Sequence, residues 1–342
     1  MRAVAGDVRA VAGEGRGVAP RPRPPSRPRP AGRAAVIRYI LRRLLTAIPT
    51  ILVIITASFF LMRVAPGGPF DRDRPLEATV RANLDAAYGF DLPLWQQYLK
   101  YMANLVQGDL GPSFIYRDLT VAELLAAGLP VSVQLGGLAL VLALIVGVAL
   151  GTLAAVRQNR PADYAVTAAA TFGVTVPNFV VGPILSLIFG VMLGVLPAGG
   201  WNGGAWPNLV LPVVTLALPQ IAVIARLTRA SLIEQLRANH VRTARAYGLP
   251  GRTVVVRHAL RSALLPVVSY LGPAAAALLT GSVVVETIFG VPGVGRYFVQ
   301  GALNRDYTLV MGTVVLIAVF VVLFNLIVDL LYAALDPRVR YE

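Results

Sequence analysis

The chain has no cysteine, a single lysine and two histidines in 342 residues, and only 14% of its residues are charged. Without cysteine there is neither a disulfide framework nor a thiolate metal site. His240 and His258 lie 18 positions apart, so the His-Glu-x-x-His spacing of a helical zinc site is absent. A nucleotide-cradling P-loop needs a lysine directly after its last glycine. Lys100, the one lysine, stands in Leu99-Lys100-Tyr101 instead, so the chain must borrow an ATPase if it pumps. No Gly-x-Ser-x-Gly elbow occurs and no histidine falls within the long apolar runs, which sets aside an intramembrane hydrolase. The expectation is a non-enzymatic chain with no catalytic residue, no cofactor and no resident metal.

Acids are scarce as well, 17 against 31 Lys and Arg, for a net charge of +14. Such a balance suits nucleic acid, but the excess is concentrated in the first 43 residues and in residues 226–261. Both stretches border apolar runs, so the charge reads as membrane topology plus attraction to anionic lipid, with no nucleic-acid partner.

What the chain has in quantity is apolar surface, with 56% hydrophobic residues. That is the composition of an all-α polytopic membrane protein. Residues 1–35 are rich in Arg and Pro and read as a disordered cytoplasmic tail. Residues 36–64 form transmembrane helix one: residues 44–62 are uncharged over 19 positions, close to the ~20 that cross a bilayer core. Arg38, Arg42 and Arg43 precede the run and set its start in the cytoplasm. A cleaved signal peptide competes, but the run is long for one and the following Arg63-Val-Ala-Pro-Gly-Gly is a poor cleavage site.

Residues 65–130 carry eight acids and five bases with several Pro/Gly turn signals, and read as an external loop region. Residues 131–156 are uncharged and are followed by Arg157 and Arg160, giving helix two, outside to inside. No charge appears between Asp163 and Arg226, room for helix three, kinked near Pro177, and helix four, with Pro212 and Pro219; residues 199–208 are the break. The spacings Gly147-xxx-Gly151 and Gly190-xxx-Gly194 read as packing alone. Residues 263–285 are helix five, and Asp306-Tyr307 leads into helix six. Asp329, deep in that last run, is either a buried functional carboxylate or, the stronger reading, an acid near the cytoplasmic end that an Arg or water reaches. Residues 336–342 end the chain inside, for six spans with both termini cytoplasmic.

One stretch stands apart. Residues 226–262 hold eight Arg against the single acid Glu234, between two apolar segments. The positive-inside rule makes this a cytoplasmic loop. Ser231 and Glu234 fit a capping box or a helix four that simply continues. Small Ala244 and Ala246 would let another backbone approach, Gly248 would permit a turn between two short helices, and the Arg set would supply donors to an acidic or carbonyl-rich groove. The bland alternative is that the charges merely orient the protein.

Within that loop, Thr243-Ala244-Arg245-Ala246-Tyr247-Gly248 and then Arg257-His258-Ala259-Leu260 resemble the coupling loop of ATP-binding-cassette importer permeases, in the version of the peptide/nickel group. Arg242-Thr243 replace the general Glu-Ala, and Leu260-Arg261 stand at the general Leu-Pro, which comes here at Leu265-Pro266. Val284-Val285-Glu286-Thr-Ile-Phe-x-x-Pro292-Gly293-x-Gly295 is similar to an external-loop motif of that group, as are segments 88–98 and 108–113. Val36 to Leu44 resembles the start of such subunits, so initiation at Val36 is an alternative expectation.

The resemblance covers residues 36–342 and implies a type I importer fold, with residues 131–335 as the transmembrane domain. It implies ATPase coupling through Arg242, Thr243, Ala244, Arg245, Gly248, Arg257 and His258, and family-motif roles for Glu286, Pro292, Gly293 and Gly295. The implied partners are a second permease subunit in a heterodimer, two cytoplasmic ABC ATPase subunits, an extracytoplasmic substrate-binding protein and the lipid bilayer of a bacterial or archaeal cell membrane. The implied cargo is an oligopeptide or dipeptide, with a nickel chelate as runner-up. An ion-driven secondary transporter stands behind both, because the spans are almost free of charge and show no convincing internal repeat.

Overall fold

A computed structural model describes residues 33–64, 67–68, 77–116 and 118–335, with the side chains of 33–40, 279–281 and 328–335 outside the description. The expected tail up to residue 32, the expected start at Val36 as a chain terminus, and residues 336–342 therefore lie outside the described residues or are not addressed by them. The backbone of Asp329 belongs to the last helix, but its side chain, and with it both readings of that acid, falls outside as well.

The long first helix, α1 (Arg33–Val64), follows from the uncharged run at its heart, with Pro49 inside it. Two short helices come next, α2 (Ala78–Tyr88), closed by Gly89 at φ 74°, and α3 (Leu94–Val106). Then α4 (Val121–Val156) starts ten residues before the expected boundary at Val131. The reason is local. Thr120 Oγ1 accepts from the Glu123 amide at 3.2 Å while Glu123 Oε2 accepts from the Thr120 amide at 2.8 Å, a reciprocal capping box. Pro130, read as a loop residue, lies within the helix.

The expected kink at Pro177 is a full break. α5 (Pro161–Thr175) and α6 (Asn178–Leu185), which runs on into a π-helical turn at Ser186–Met192, meet at 104°. Pro177 supplies no amide, and Val176 before it is extended at φ −84°, ψ 119°, which is where the helical ladder stops. α7 (Trp206–Leu236) absorbs Pro212 and Pro219 and continues ten residues beyond Arg226, so the Ser231/Glu234 pair caps nothing and the start of the basic loop is helix. The loop proper is α8 (Asn239–Ala246), α9 (Gly251–Thr253), a π-helical turn at Val254–Ala259 and α10 (Leu260–Ala263). α11 (Leu265–Phe289), α12 (Val294–Leu303) and α13 (Tyr307–Leu335) complete the chain.

α1 from Leu41, α4, α7 and α13 are each long and apolar enough to cross a membrane unbroken, and α5 with α6 makes a broken span. The two halves of α11 meet the same condition only as bent pairs with α9–α10 and with α12, so the described residues offer four to seven spans, a range that includes the six expected. α7 sits at the centre: its Leu209, Leu216 and Ile224 pack with Leu135, Ala139 and Ala143 of α4 and with Val267, Leu278 and Phe289 of α11. Between helices in lipid, close approach does the work that water exclusion does elsewhere. A Cβ at Gly147 would press on Ile224 at 2.8 Å, and one at Gly151 would press on the Ala225 carbonyl at 2.5 Å, so this pair is where α4 meets α7. Gly190 and Gly194 do something else. Gly190 faces Ala198 of the returning chain, and Gly194, with open space around it, adopts φ 62°.

Candidate functional site: the basic loop and the carboxylate clasp

At the basic end of the bundle, the loop is anchored before it is displayed. Arg229, on α7, grips Asp163 in the first turn of α5 through two bonds, Nε to Oδ1 at 2.5 Å and Nη2 to Oδ2 at 2.7 Å. Asp163 is 2% exposed, and its Oδ2 also accepts the Asn159 amide at 2.9 Å. One of the eight arginines is thus committed inside the protein, and a bidentate pair of this kind fixes orientation as well as charge.

Beyond it, α8 lies on its own apolar plug. Val241 and Ala244 are buried against Leu232 of α7, Val254 and Ala259 of the π turn, Ala263 of α10 and Ala155 of α4. Ala244 therefore serves intramolecular packing, contrary to the expectation that it opens the surface to another backbone; its small size lets α8 lie close to its own chain. Arg242, Thr243, Arg245, Ala246 and Gly248 are turned outward. Thr243 Oγ1 is spent on the Asn239 carbonyl at 3.1 Å. His240 Nε2 donates to the His258 carbonyl at 3.2 Å, stitching α8 to the π turn, so His258 contributes its backbone here.

Gly248 has φ 74°, and a Cβ added there would meet nothing within 4 Å, so this glycine is required by backbone conformation, not by crowding. It turns the chain from α8 toward Pro250 and α9. The exposed set of the loop is mixed: it holds Arg242, Arg245, Arg252 and Arg257 together with Tyr247, which is 82% exposed, and Val256, 56% exposed. An exposed aromatic and several arginines in one short loop is the composition of a protein-docking surface.

The second candidate is at the opposite end of the bundle, and its geometry explains the spacing of its motif. Glu286, in the last turn of α11, is fully buried. Its Oε1 accepts from Ser132 Oγ of α4 at 2.6 Å; its Oε2 accepts the amides of Gly295 at 2.8 Å and Arg296 at 3.3 Å, in the first turn of α12. Ser132 Oγ in turn accepts the Val294 amide at 2.9 Å. The chain bends by 83° between the two helices, with Gly290 at φ 66° closing α11. Cβ atoms at Gly293 or Gly295 would overlap the Glu286 carboxyl group or the Val283 backbone, so both glycines leave the room that the carboxylate occupies. A carboxylate on the free amides of a helix N-terminus is favoured by hydrogen bonding and by the helix dipole together. Pro292 sits in the turn that delivers them. With Ser132, these four residues form a clasp joining α4, α11 and α12, and the carboxylate oxygens accept from Ser132, Gly295 and Arg296. The arrangement holds helices together.

Sequence reading missed two further nodes at the same end. Asp306, also fully buried, caps α13 by accepting the Leu309 amide on Oδ1 at 3.1 Å. Its Oδ2 reaches back to Ser113 Oγ at 2.6 Å and to the Phe114 amide at 3.0 Å. The Asp-x-x at the start of an apolar run was the visible signal, since it fits an N-cap; the loop at 113–114 has no local sign of it. Arg63, at the end of α1, donates to Gln97 Oε1 at 2.9 Å and lies over the rings of Phe59, Phe90 and Tyr307 at 4.4, 5.2 and 5.1 Å. Rings on several sides stabilise a cation removed from water.

Comparison with known proteins agrees across nearly the whole chain. The family described as "Binding-protein-dependent transport system inner membrane component" matches residues 147–341, and its N-terminal companion matches residues 36–133. The oligopeptide transport system permease protein OppB of Salmonella typhimurium is 53% identical over 306 residues, covering 90% of this chain and 100% of that protein. OppB of Haemophilus influenzae is 50% identical over the same shares of the two chains. The dipeptide transport system permease protein DppB of Bacillus subtilis is 43% identical over 303 residues, 89% of this chain and 98% of that one.

Proposed function

Since the chain belongs to the family of binding-protein-dependent transport system inner membrane components, we propose that it is a permease subunit of a peptide-importing ATP-binding-cassette transporter, forming half of the pathway. It is a multi-pass membrane protein and not itself an ATPase; hydrolysis belongs to partner subunits, and cargo arrives on a binding protein. The relatives are named for oligopeptide and dipeptide transport, which favours peptide cargo over the nickel chelate. An ion-driven carrier finds no support among them.

The observation that carries the coupling role is the way α8 is built. Val241 and Ala244 root it in the bundle, so a push on Arg242, Arg245 or Tyr247 is delivered to α7 and α10 and not absorbed by a loose loop. In our reading, two ATPase subunits hold this surface and its counterpart on a second, different permease subunit. Nucleotide-driven closure of the ATPases then rocks the two permeases between inward-open and outward-open states. In our reading the basic end is cytoplasmic by its arginines, with both termini inside and the external loop region expected at 65–130 on the outer face together with the Glu286 clasp. Residues 131–335 act as the transmembrane domain and residues 226–262 as its coupling region.

The test is Arg245→Glu in the assembled transporter. The variant should reach the membrane in normal amount, yet co-purify with little ATPase and lose uptake of labelled peptide. Full ATPase recovery with normal uptake would refute the coupling surface.

A further inference from the structure

The segment between α1 and α4 reads from its charge as a water-exposed loop, but α3 is not placed like one. Tyr98 of α3 shares a hydrogen bond of 2.7 Å with Thr56 of α1. Thr56 lies six residues inside the uncharged run that ends at Met62, which at 1.5 Å per residue is about 9 Å below the end of the apolar span. Tyr98, Tyr101, Met102 and Leu105 pack on Ile55 and Phe59 of α1 and on Met311 of α13. One face of α3 thus lies in the groove between two membrane-crossing helices, below the level at which those helices leave the apolar layer.

The flank of α3 beside this packed face, about 100° around the helix, carries Trp95, Leu99, Ala103 and Val106, spaced four, four and three residues apart on one stripe. Trp95 is 60% exposed, Leu99 56% and Val106 84%. None of the four is charged or polar apart from the indole N–H. The neighbouring Lys100 has its ammonium beside Gly89, at the C-terminal end of α2, where a cation is favoured. Gln97 turns inward, donating to the carbonyls of Phe90 and Leu92 at 3.1 and 2.8 Å. α1, on which α3 packs, also exposes apolar side chains: Leu52, Val53 and Leu61 are 44%, 66% and 74% exposed.

We infer that α3 is an interfacial helix whose Trp95–Leu99–Val106 face is covered by acyl chains and headgroups of the leaflet at the Val64 end of α1. A helix of this kind lies in the membrane plane with its apolar face ~5–10 Å below the headgroup boundary, the depth that the Tyr98–Thr56 bond sets. Tryptophan at one end suits that depth, since its ring is apolar and its N–H reaches headgroup oxygens. The partner is phospholipid, and the surface anchors the loop region to the bilayer beside α1 and α13. A protein partner seated on the same stripe is the alternative that the experiment separates.

The absence of cysteine makes the experiment direct. Nitroxide labels are placed on Leu99→Cys and Val106→Cys, on lipid-facing Leu52→Cys and on Ala86→Cys of α2, in the assembled transporter in phosphatidylcholine nanodiscs. Collision rates with oxygen and with a water-soluble nickel chelate are then compared. The oxygen-to-chelate ratio at 99 and 106 should shift to that at 52. A ratio matching position 86 means water, and loss of both collisions means a protein cover; either overturns the inference. A second measurement avoids labels: with Trp201→Phe and Trp206→Phe, Trp95 emission should be quenched by brominated acyl chains and spared by aqueous iodide. The reverse pattern overturns the inference as well. Neither readout depends on the cargo or on the ATPase surface, so failure here leaves the proposed function standing.

Discussion

Ser132 on α4 and Glu286 on α11, 154 positions apart, meet in a hydrogen bond of 2.6 Å, and the same serine oxygen accepts the amide of Val294 at 2.9 Å. One small side chain thereby holds two helices and the start of a third. Because the carboxylate is fully buried, each donor it meets replaces a water that it gave up.

Removing the serine hydroxyl is therefore expected to cost more than one ordinary hydrogen bond. Ser132→Ala leaves the Val294 amide without its acceptor and Glu286 without one donor, a loss of about 2–4 kcal/mol when one partner is charged. Glu286→Gln turns an amide N–H₂ toward groups that donate, so it destabilises too, and the double variant falls short of the sum. Thermal unfolding of the purified transporter in detergent measures all three. Melting of Ser132→Ala at the wild-type temperature would contradict the clasp.

The Asp163–Arg229 pair predicts a coupling between α5 and α7. Arg229 retains 30% of its side-chain exposure, so solvent screens part of the charge left behind when Asp163 is removed. Asp163→Ala should cost about 1–3 kcal/mol, less than a wholly buried pair. A double-mutant cycle with Arg229→Ala should return a clear interaction energy. Strict additivity would show that the two side chains stabilise their helices separately.

Asp306→Asn tests the link between the 113–114 turn and α13. The neutral amide keeps the size but offers one acceptor where two oxygens now serve Ser113, Phe114, Thr308 and Leu309. Hydrogen exchange should accelerate at the amides of Phe114, Ile115 and Leu309, with little change in the α4–α7 core. Unchanged exchange at all three amides would rule the link out.

Gly248 separates conformation from contact at the basic loop. With φ 74° and open surroundings, Gly248→Ala should lose only the backbone cost of a left-handed residue, ~1 kcal/mol, and keep part of its ATPase binding. Gly248→Asn, a residue that tolerates this region, should bind nearly as wild type. Recovery of ATPase subunits with the purified variant ranks the three. Equal loss for Ala and Asn would mean that the partner contacts this position directly.

Much of this architecture was visible in the residues. Six apolar stretches and the arginines beside them mark the spans and the basic end, because crossing a bilayer demands about 20 apolar residues whatever the neighbours are. Gly248 between two short helices was equally legible, since few residues other than glycine take its backbone angle. The Glu286, Gly293 and Gly295 spacing was visible as a pattern, but its meaning was not. That the carboxylate caps α12, and that the glycines make way for it, depends on the 83° bend after Gly290 and on α4 bringing Ser132 alongside.

What tertiary structure alone decided is which side chains face which. Ala244 looked available to a partner and is instead covered by Leu232 and Val254; Arg229 looked like one more surface arginine and is held by Asp163. Charge balance marked residues 65–130 as a solvent loop, yet Tyr98 reaches Thr56 at membrane depth. The physical reason is range. Hydrophobic run length, charge asymmetry and left-handed turns are properties of neighbouring residues, whereas burial and pairing are set by separate elements, from the adjoining helices that cover Ala244 to partners 42 and 193 positions away at Tyr98 and Asp306.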